Sequence, residues 1–171
     1  MPMLLLFRHA KAAPPLAGQR DFDRELTERG RRDCERMGKI LAEFGVDQAI
    51  VSSAQRTRET WEIASRAFLP RPPVSVEQTL YLCRSNQLVA RIRQIPDGVD
   101  RVVLVGHNPT WHEVALRFAG GTAAAGVETE ALRDKFPTAA LAVFTFAAAS
   151  WAGLEPGHAK LERFVTPGMA R

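Results

Sequence analysis

Arg101-Val102-Val103-Leu104-Val105 runs directly into Gly106-His107-Asn108-Pro109, and this stretch decides the fold. A short, continuous, β-branched apolar run that stops at glycine and proline reads as a strand buried on both faces, the kind found in helix-covered parallel sheets. Pro109 suits the first turn of a helix, and Trp111, Val114, Ala115 and Phe118 follow at helical spacing before Gly120-Gly121. The N-terminus repeats the arrangement, with Met3-Leu4-Leu5-Leu6-Phe7 running into Arg8-His9.

Between these landmarks strands and helices alternate. Residues 9–26 read as loop. Thr27 is placed as the N-cap of a helix carrying Met37, Ile40, Leu41 and Phe44, with Gly45 as its stop. Ala49-Ile50-Val51 is a second strand, and Ala54 to Phe68 a second helix ended by Pro70. Val74 to Val76 is a weak strand, and Ser85 is expected to cap a helix with Leu88, Val89, Ile92 and Ile95. Residues 121–135 read as a mobile loop, followed by strands near 139–146, Trp151 and 160–165. The order predicts an α/β sheet with both faces covered, as a single domain over residues 1–171.

Composition narrows the class. The 171 residues are 46% hydrophobic and 25% charged, an ordinary globular balance. Cys34 and Cys83 lack CxxC spacing and are too few for a disulfide scaffold, so a cytoplasmic protein is expected. The net charge of +4 comes with 19 Arg and four Lys, yet Arg20 to Arg36 holds six Arg against six acidic residues. That run cancels, and no nucleic-acid partner is expected. Phe136 to Leu154 is uncharged over 19 residues, but Pro137 and the β-prone Leu141–Phe146 segment argue against a membrane helix. Met3 to Phe7 is too short for a signal peptide. A monomer is expected.

Chemistry concentrates at strand ends, where ligands bind in open α/β sheets. Arg8 and His9 follow the first strand and His107 follows 102–105, while Ser52-Ser53 leads into a helix with Arg56 in its first turn. Two arginines and two histidines without an obligatory carboxylate describe a pocket for a compact dianion such as phosphate. Each residue alone has an ordinary structural use, and spacing alone goes no further than an anion site. His107, His112 and Glu113 do not form an HExxH helix, and GxGxxG, P-loop and GxSxG patterns are missing. Metal and cofactor are expected to be none.

Leu6-Phe7-Arg8-His9-Ala10-Lys11 resembles the RHG signature of the histidine phosphatase superfamily, with Ala10 where Gly is commoner. Ser52-Ser53-Ala54-Gln55-Arg56-Thr57-Arg58-Glu59-Thr60 is similar to its S-P-x-x-R-A-x-Q-T block, and Val105 to Pro109 to its second-histidine block. Asp21 to Arg24, Leu26 to Gly30 and Lys135 to Thr138 resemble the small SixA-type phosphohistidine phosphatase branch. The resemblance implies a three-layer α/β/α sandwich with a mostly parallel sheet, and a phosphoric hydrolase of bacterial signal transduction. It implies His9 as nucleophile, with Arg8, Arg56 and His107 as the other catalytic residues. Arg8, Arg56, His107 and Asn108 would bind the phosphoryl group.

Relatives acting on phosphate esters usually add an acid that protonates the leaving alkoxide, and Leu80-Tyr81-Leu82-Cys83-Arg84-Ser85 offers none. A phosphorylated imidazole needs less help, because once protonated it leaves as a neutral ring. A phosphohistidine-bearing protein is therefore the expected substrate. A small phosphate ester using Asp21, Asp23 or Glu113 as acid is the alternative, and a non-catalytic phosphate-binding module a remote one. Whether Lys11, His112 and Thr138 touch ligand or hold loops stays open.

Overall fold

The computed structural model describes residues 1–120 and 126–170. Strands β1 (Met3–Arg8), β2 (Gln48–Ser52), β3 (Val74–Glu77), β4 (Arg101–Gly106), β5 (Leu141–Phe146) and β6 (Ala159–Val165) form one sheet in the order β3-β2-β4-β1-β5-β6. β1, β2, β3 and β4 pair in parallel, while β5 runs antiparallel to both β1 and β6. Helices α1 (Glu28–Ala42), α2 (Gln55–Ala64), α3 (Ser85–Ile92), α4 (Thr110–Ala119) and α5 (Val127–Asp134) cover it. The expected three-layer α/β/α sandwich is the fold observed.

The strand pattern explains the layers. Leu4, Leu6, Val102, Leu104, Ala142 and Phe144 face a core shared with Leu88, Ile92, Trp111, Phe118 and Leu132 of α3, α4 and α5. The alternate residues Leu5, Phe7, Val103, Val105, Leu141 and Val143 face Met37, Leu41 and Trp61 of α1 and α2. Period-two alternation thus feeds two apolar layers, which is why the central strands read as unbroken hydrophobic runs. Thr27 caps α1 as expected, its hydroxyl accepting from Gly30 N–H at 3.0 Å. Gly45 ends that helix region at φ +61°, a left-handed conformation that favours glycine.

Several expectations change. Ser85 is the first residue of α3 rather than its cap; Gln87 reaches back to accept from Arg84 N–H at 2.8 Å, so the glutamine satisfies the helix start. The part of 121–135 that is described includes α5, not only loop; residues 121–125 lie outside the described residues. α5 has little apolar content, but Leu132 is buried and Glu128 accepts from Phe164 N–H at 3.0 Å, so tertiary contacts hold it. No strand forms near Trp151. Its indole is buried and donates to Val99 O at 2.6 Å, anchoring a turn instead of a ladder. α2 ends at Ala64 and tightens into a 3-10 turn over Ser65–Ala67. Among the described residues, no helix is long and apolar enough to cross a membrane.

Candidate active site

Register brings the two histidines together. β1 and β4 are neighbours, with Arg8 opposite Gly106, and His9 N–H donates to Gly106 O at 3.0 Å. The His9 and His107 ring centroids therefore lie 5.3 Å apart at the carboxyl ends of adjacent strands. Gly106 is obligatory in this corner: a Cβ there would sit 2.0 Å from Trp111 Cη2, and the indole is itself fixed by donating to Leu104 O at 3.1 Å.

His9 is buried, and its Nδ1 lies 2.8 Å from Ala10 O. A carbonyl oxygen only accepts, so Nδ1 carries the proton and the lone pair is left on Nε2. The Ala10 peptide is held in turn, its N–H donating to Thr60 Oγ1 at 3.0 Å while that hydroxyl donates to Arg56 O at 2.7 Å. Burial pushes the His9 pKa down to about 3, against the partly opposing Ala10 carbonyl and with help from the charges of Arg56 and Arg8. The ring is neutral at physiological pH. His107, whose Nε2 lies 2.7 Å from Ser52 Oγ, is likewise lowered to about 3 by burial and by Arg56.

Arg8 donates through one terminal nitrogen to Phe136 O at 2.9 Å, and Asn108 Nδ2 donates to the same oxygen at 2.9 Å. Arg56 enters from the first turn of α2 and is 6% exposed. Its terminal nitrogens donate to Asp21 O at 2.8 Å and Asp21 Oδ2 at 3.1 Å. Among the described residues, the buried side-chain polar atoms without a hydrogen-bond partner are Arg8 Nε, Arg56 Nε, His107 Nδ1 and Asn108 Oδ1. All belong to the residues that the sequence places around a bound phosphoryl group. Arg8, His9, Lys11, Arg24, Arg56, His107, Asn108 and Thr138 line a pocket of about 380 Å³, open on one side, with no Asp or Glu in its wall.

The candidate acids fall elsewhere. Partial burial pushes the Asp21 carboxyl up, but Tyr81 and Arg24, donating at 2.8 and 3.0 Å, together with Arg56, outweigh it and hold the pKa at about 2. Asp23 pairs with Arg20 on the surface. Glu113 lines a separate, adjoining pocket. His112 Nε2 donates to Leu132 O at 2.7 Å, tying α4 to α5. Lys11 and Thr138 reach the pocket wall. Sequence reading missed Tyr81, whose ring meets His107 edge-on at 5.7 Å, and Arg24. Tyr81 lies within Leu80 to Ser85, a stretch with no carboxylate, and its only signal in the sequence is an aromatic hydroxyl.

The profile of the histidine phosphatase superfamily (branch 1) matches residues 4–81. An uncharacterised protein of Mycobacterium tuberculosis is 33% identical over 162 residues, 94% of this chain and 99% of its own length. The crystal structure of the candidate phosphohistidine phosphatase SixA from Agrobacterium tumefaciens superposes with a TM-score of 0.81 at 31% identity, covering 98% of this chain and 99% of that one. The chain belongs to the histidine phosphatase superfamily. The protein histidine phosphatase SixA complexed with tungstate shares the fold as well, with a TM-score of 0.76 at 20% identity over 97% of each chain. Membership of the histidine phosphatase superfamily makes the activity class that of a phosphatase, and the RHG-like segment and its partner arginine and histidine are the residues gathered in the pocket. Among the described residues, no group of three or more His, Cys, Asp or Glu is placed to hold a metal ion.

Proposed function

We propose that this histidine phosphatase hydrolyses phosphohistidine on proteins, through a phosphoryl intermediate on His9 and without a metal. The observation that carries the reading is the convergence of unpartnered buried nitrogens of Arg8, Arg56 and His107 around a neutral His9 of fixed tautomer. A buried polar atom without a partner is costly, and a cluster of them lining one basic pocket is what a phosphoryl dianion satisfies. The burial and mutual repulsion that depress the Arg8 pKa are relieved by the same ligand.

In the proposed reaction His9 Nε2 attacks phosphorus in line, and the bond to the leaving group breaks on the opposite side. Arg8 and Arg56 hold the equatorial oxygens through charge-assisted hydrogen bonds that strengthen as charge spreads. With Ser52 donating to Nε2 of His107, Nδ1 of that ring bears a proton and adds a third donor. Ala10 O stabilises the ring of His9 once it is phosphorylated, because the ring then carries positive charge. Asn108 spends its amide nitrogen on Phe136 O, so its free oxygen acts as an acceptor, suited to orienting the hydrolytic water. Water attacks phosphorus, the P–N bond electrons return to Nε2, and dihydrogen phosphate leaves.

The leaving group distinguishes phosphohistidine from an ester. Asp21, its pKa held down at about 2 and its carboxylate tied to Arg56, Tyr81 and Arg24, is poorly placed to give a proton to an alkoxide. The open mouth of the pocket supports a substrate presented on a protein surface. Phosphate release from a histidine-phosphorylated carrier protein, measured beside 4-nitrophenyl phosphate, tests the reading. Fast release from the carrier, weak release from the ester and none with His9→Ala is expected. The reverse preference would favour a small-ester phosphatase, and activity untouched by His9→Ala would remove the nucleophile.

A further inference from the structure

Behind His107 and Asn108 a second pocket of about 390 Å³ adjoins the first, and these two residues belong to both walls. Leu80, Cys83 and Trp111 give it apolar walls, and Arg84 and Glu113 supply its charges. At its mouth Leu82 holds φ +57°, a left-handed conformation that is costly for leucine, and its side chain is 75% exposed. Glu113 sits in the first turn of α4, and among the described residues its carboxylate has no hydrogen bond or ion pair. An exposed carboxylate in such a helix turn is ordinary. One that lines a pocket sharing His107 and Asn108 with a phosphoryl site, in a protein whose phosphoryl pocket has no acid in its wall, has a position from which to read the leaving group.

We infer that this second pocket is the leaving-group subsite, and that Glu113 accepts the distal ring N–H of a departing imidazole. The inference rests on the phosphohistidine reading above and names how the site recognises that substrate. A phosphoimidazole protonated at its distal nitrogen carries positive charge on the ring, and a facing carboxylate favours that form. When His9 Nε2 forms its bond to phosphorus, the P–N bond to the substrate ring breaks and its electron pair stays on that ring nitrogen. The substrate ring departs neutral, its distal proton still shared with Glu113, while the ring of His9 takes over the positive charge with its own proton on Nδ1 facing Ala10 O. Neither proton moves. The transfer exchanges one phosphoimidazolium for another, with a hydrogen-bond acceptor on each distal N–H. An ester oxygen has no such N–H and gains nothing from Glu113 in its ionised form. The volume beyond one imidazole leaves room for the peptide that bears it, beside the exposed Leu82.

The charged groups around Glu113 are Arg84 from the segment before α3, His107 across the pocket, and on α4 itself Arg117, which donates to Asn86 Oδ1 at 3.3 Å, and His112, engaged with Leu132 O. The test measures kcat/KM against pH for the full chain and for Glu113→Gln and Glu113→Asp, with a histidine-phosphorylated carrier protein and with 4-nitrophenyl phosphate. For Glu113→Gln the ratio of phosphohistidine to aryl ester turnover should fall roughly tenfold to a hundredfold, the worth of one charge-assisted hydrogen bond. The basic limb of the phosphohistidine profile should move to lower pH, since the substrate ring loses its carboxylate, and Glu113→Asp should restore part of both. An unchanged ratio and limb, with wild type still cleaving the carrier, would overturn the subsite alone. A fall in ester turnover as large as that of the carrier would overturn it too, and would make Glu113 an acid or a structural residue. Wild type that cleaves only the ester would overturn the proposed function and this inference together.

Discussion

Two imidazoles held neutral in a basic pocket make folding sensitive to acid. His9 and His107 both fall from an ordinary 6.5 to about 3, chiefly through burial. Between those values the unfolded chain binds protons at these rings that the folded chain does not, so stability declines as pH drops below 6.5 and the decline is complete near 3. At pH 5 the cost relative to pH 7 is about 2 kcal/mol for each ring and about 4 kcal/mol for the pair. That is a large part of the roughly 5–15 kcal/mol that holds a typical domain together. Asp21 is shifted in the same downward direction but in a lower range, its contribution being present above about 3.8 and lost only as pH falls toward 2, so it does not enter this window. Urea unfolding at pH 7 and pH 5 measures the effect for wild type, His9→Asn and His107→Gln. The asparagine keeps a donor near the position of His9 Nδ1 and the glutamine an acceptor near the position of His107 Nε2, but neither titrates. Each variant should lose about 2 kcal/mol less than wild type between the two pH values. An identical loss in all three proteins would mean that the rings protonate freely in the folded state, and the argument for a neutral nucleophile would fail with it.

Arg56→Lys keeps the charge but not the fork that spans Asp21 O, Asp21 Oδ2 and the pocket; kcat/KM should drop by about a hundredfold or more, as for loss of a transition-state donor. Gly106→Ala forces a methyl against the Trp111 indole and should destabilise the fold by about 1–3 kcal/mol in urea titrations, with activity falling as the His107 corner shifts. Asp21→Asn should lower turnover of phosphohistidine and of 4-nitrophenyl phosphate in the same proportion, because the carboxylate orients Arg56 and Tyr81 and is not an acid. A loss confined to the ester, read from parallel kcat/KM values, would instead make Asp21 the ester's proton donor.

The sheet was readable because burial on both faces leaves an unmistakable trace. Leu4 to Phe7 and Val102 to Val105 have no polar position for water to face, and each ends where the chain must turn. α5 left no such trace. Its eight residues bury Leu132 and Thr129 but owe their place to Phe164, His112 and other partners distant in sequence. Trp151 misled for a related reason: an apolar residue after small ones fits a strand, yet a single indole hydrogen bond to Val99 O fixes a turn equally well. Local pattern reports what a segment can bury, and says little where one long-range contact decides.

The site divides along the same line. Arg8, His9, Arg56 and His107 lie at the ends of apolar strands or in the first turn of the next helix, so their convergence follows from the topology once β1, β4 and β2 are adjacent. What makes the chemistry possible is not written in residue identities. The acceptor that fixes the tautomer of His9 is the carbonyl of Ala10, the acceptor shared by Arg8 and Asn108 is the carbonyl of Phe136, and every residue carries a carbonyl. Asp21 makes the point most sharply. Its loop position and acidic side chain suggest a proton donor, but three hydrogen-bonding neighbours, Arg56, Tyr81 and Arg24, convert it into a fixed anion that aims an arginine. The same residue type supplies opposite chemistry according to what faces it, and that surrounding is set by chain segments 35 and 60 residues away. Glu113, on the wall of the adjoining pocket and outside that network, is in the proposed reading the carboxylate that answers the substrate.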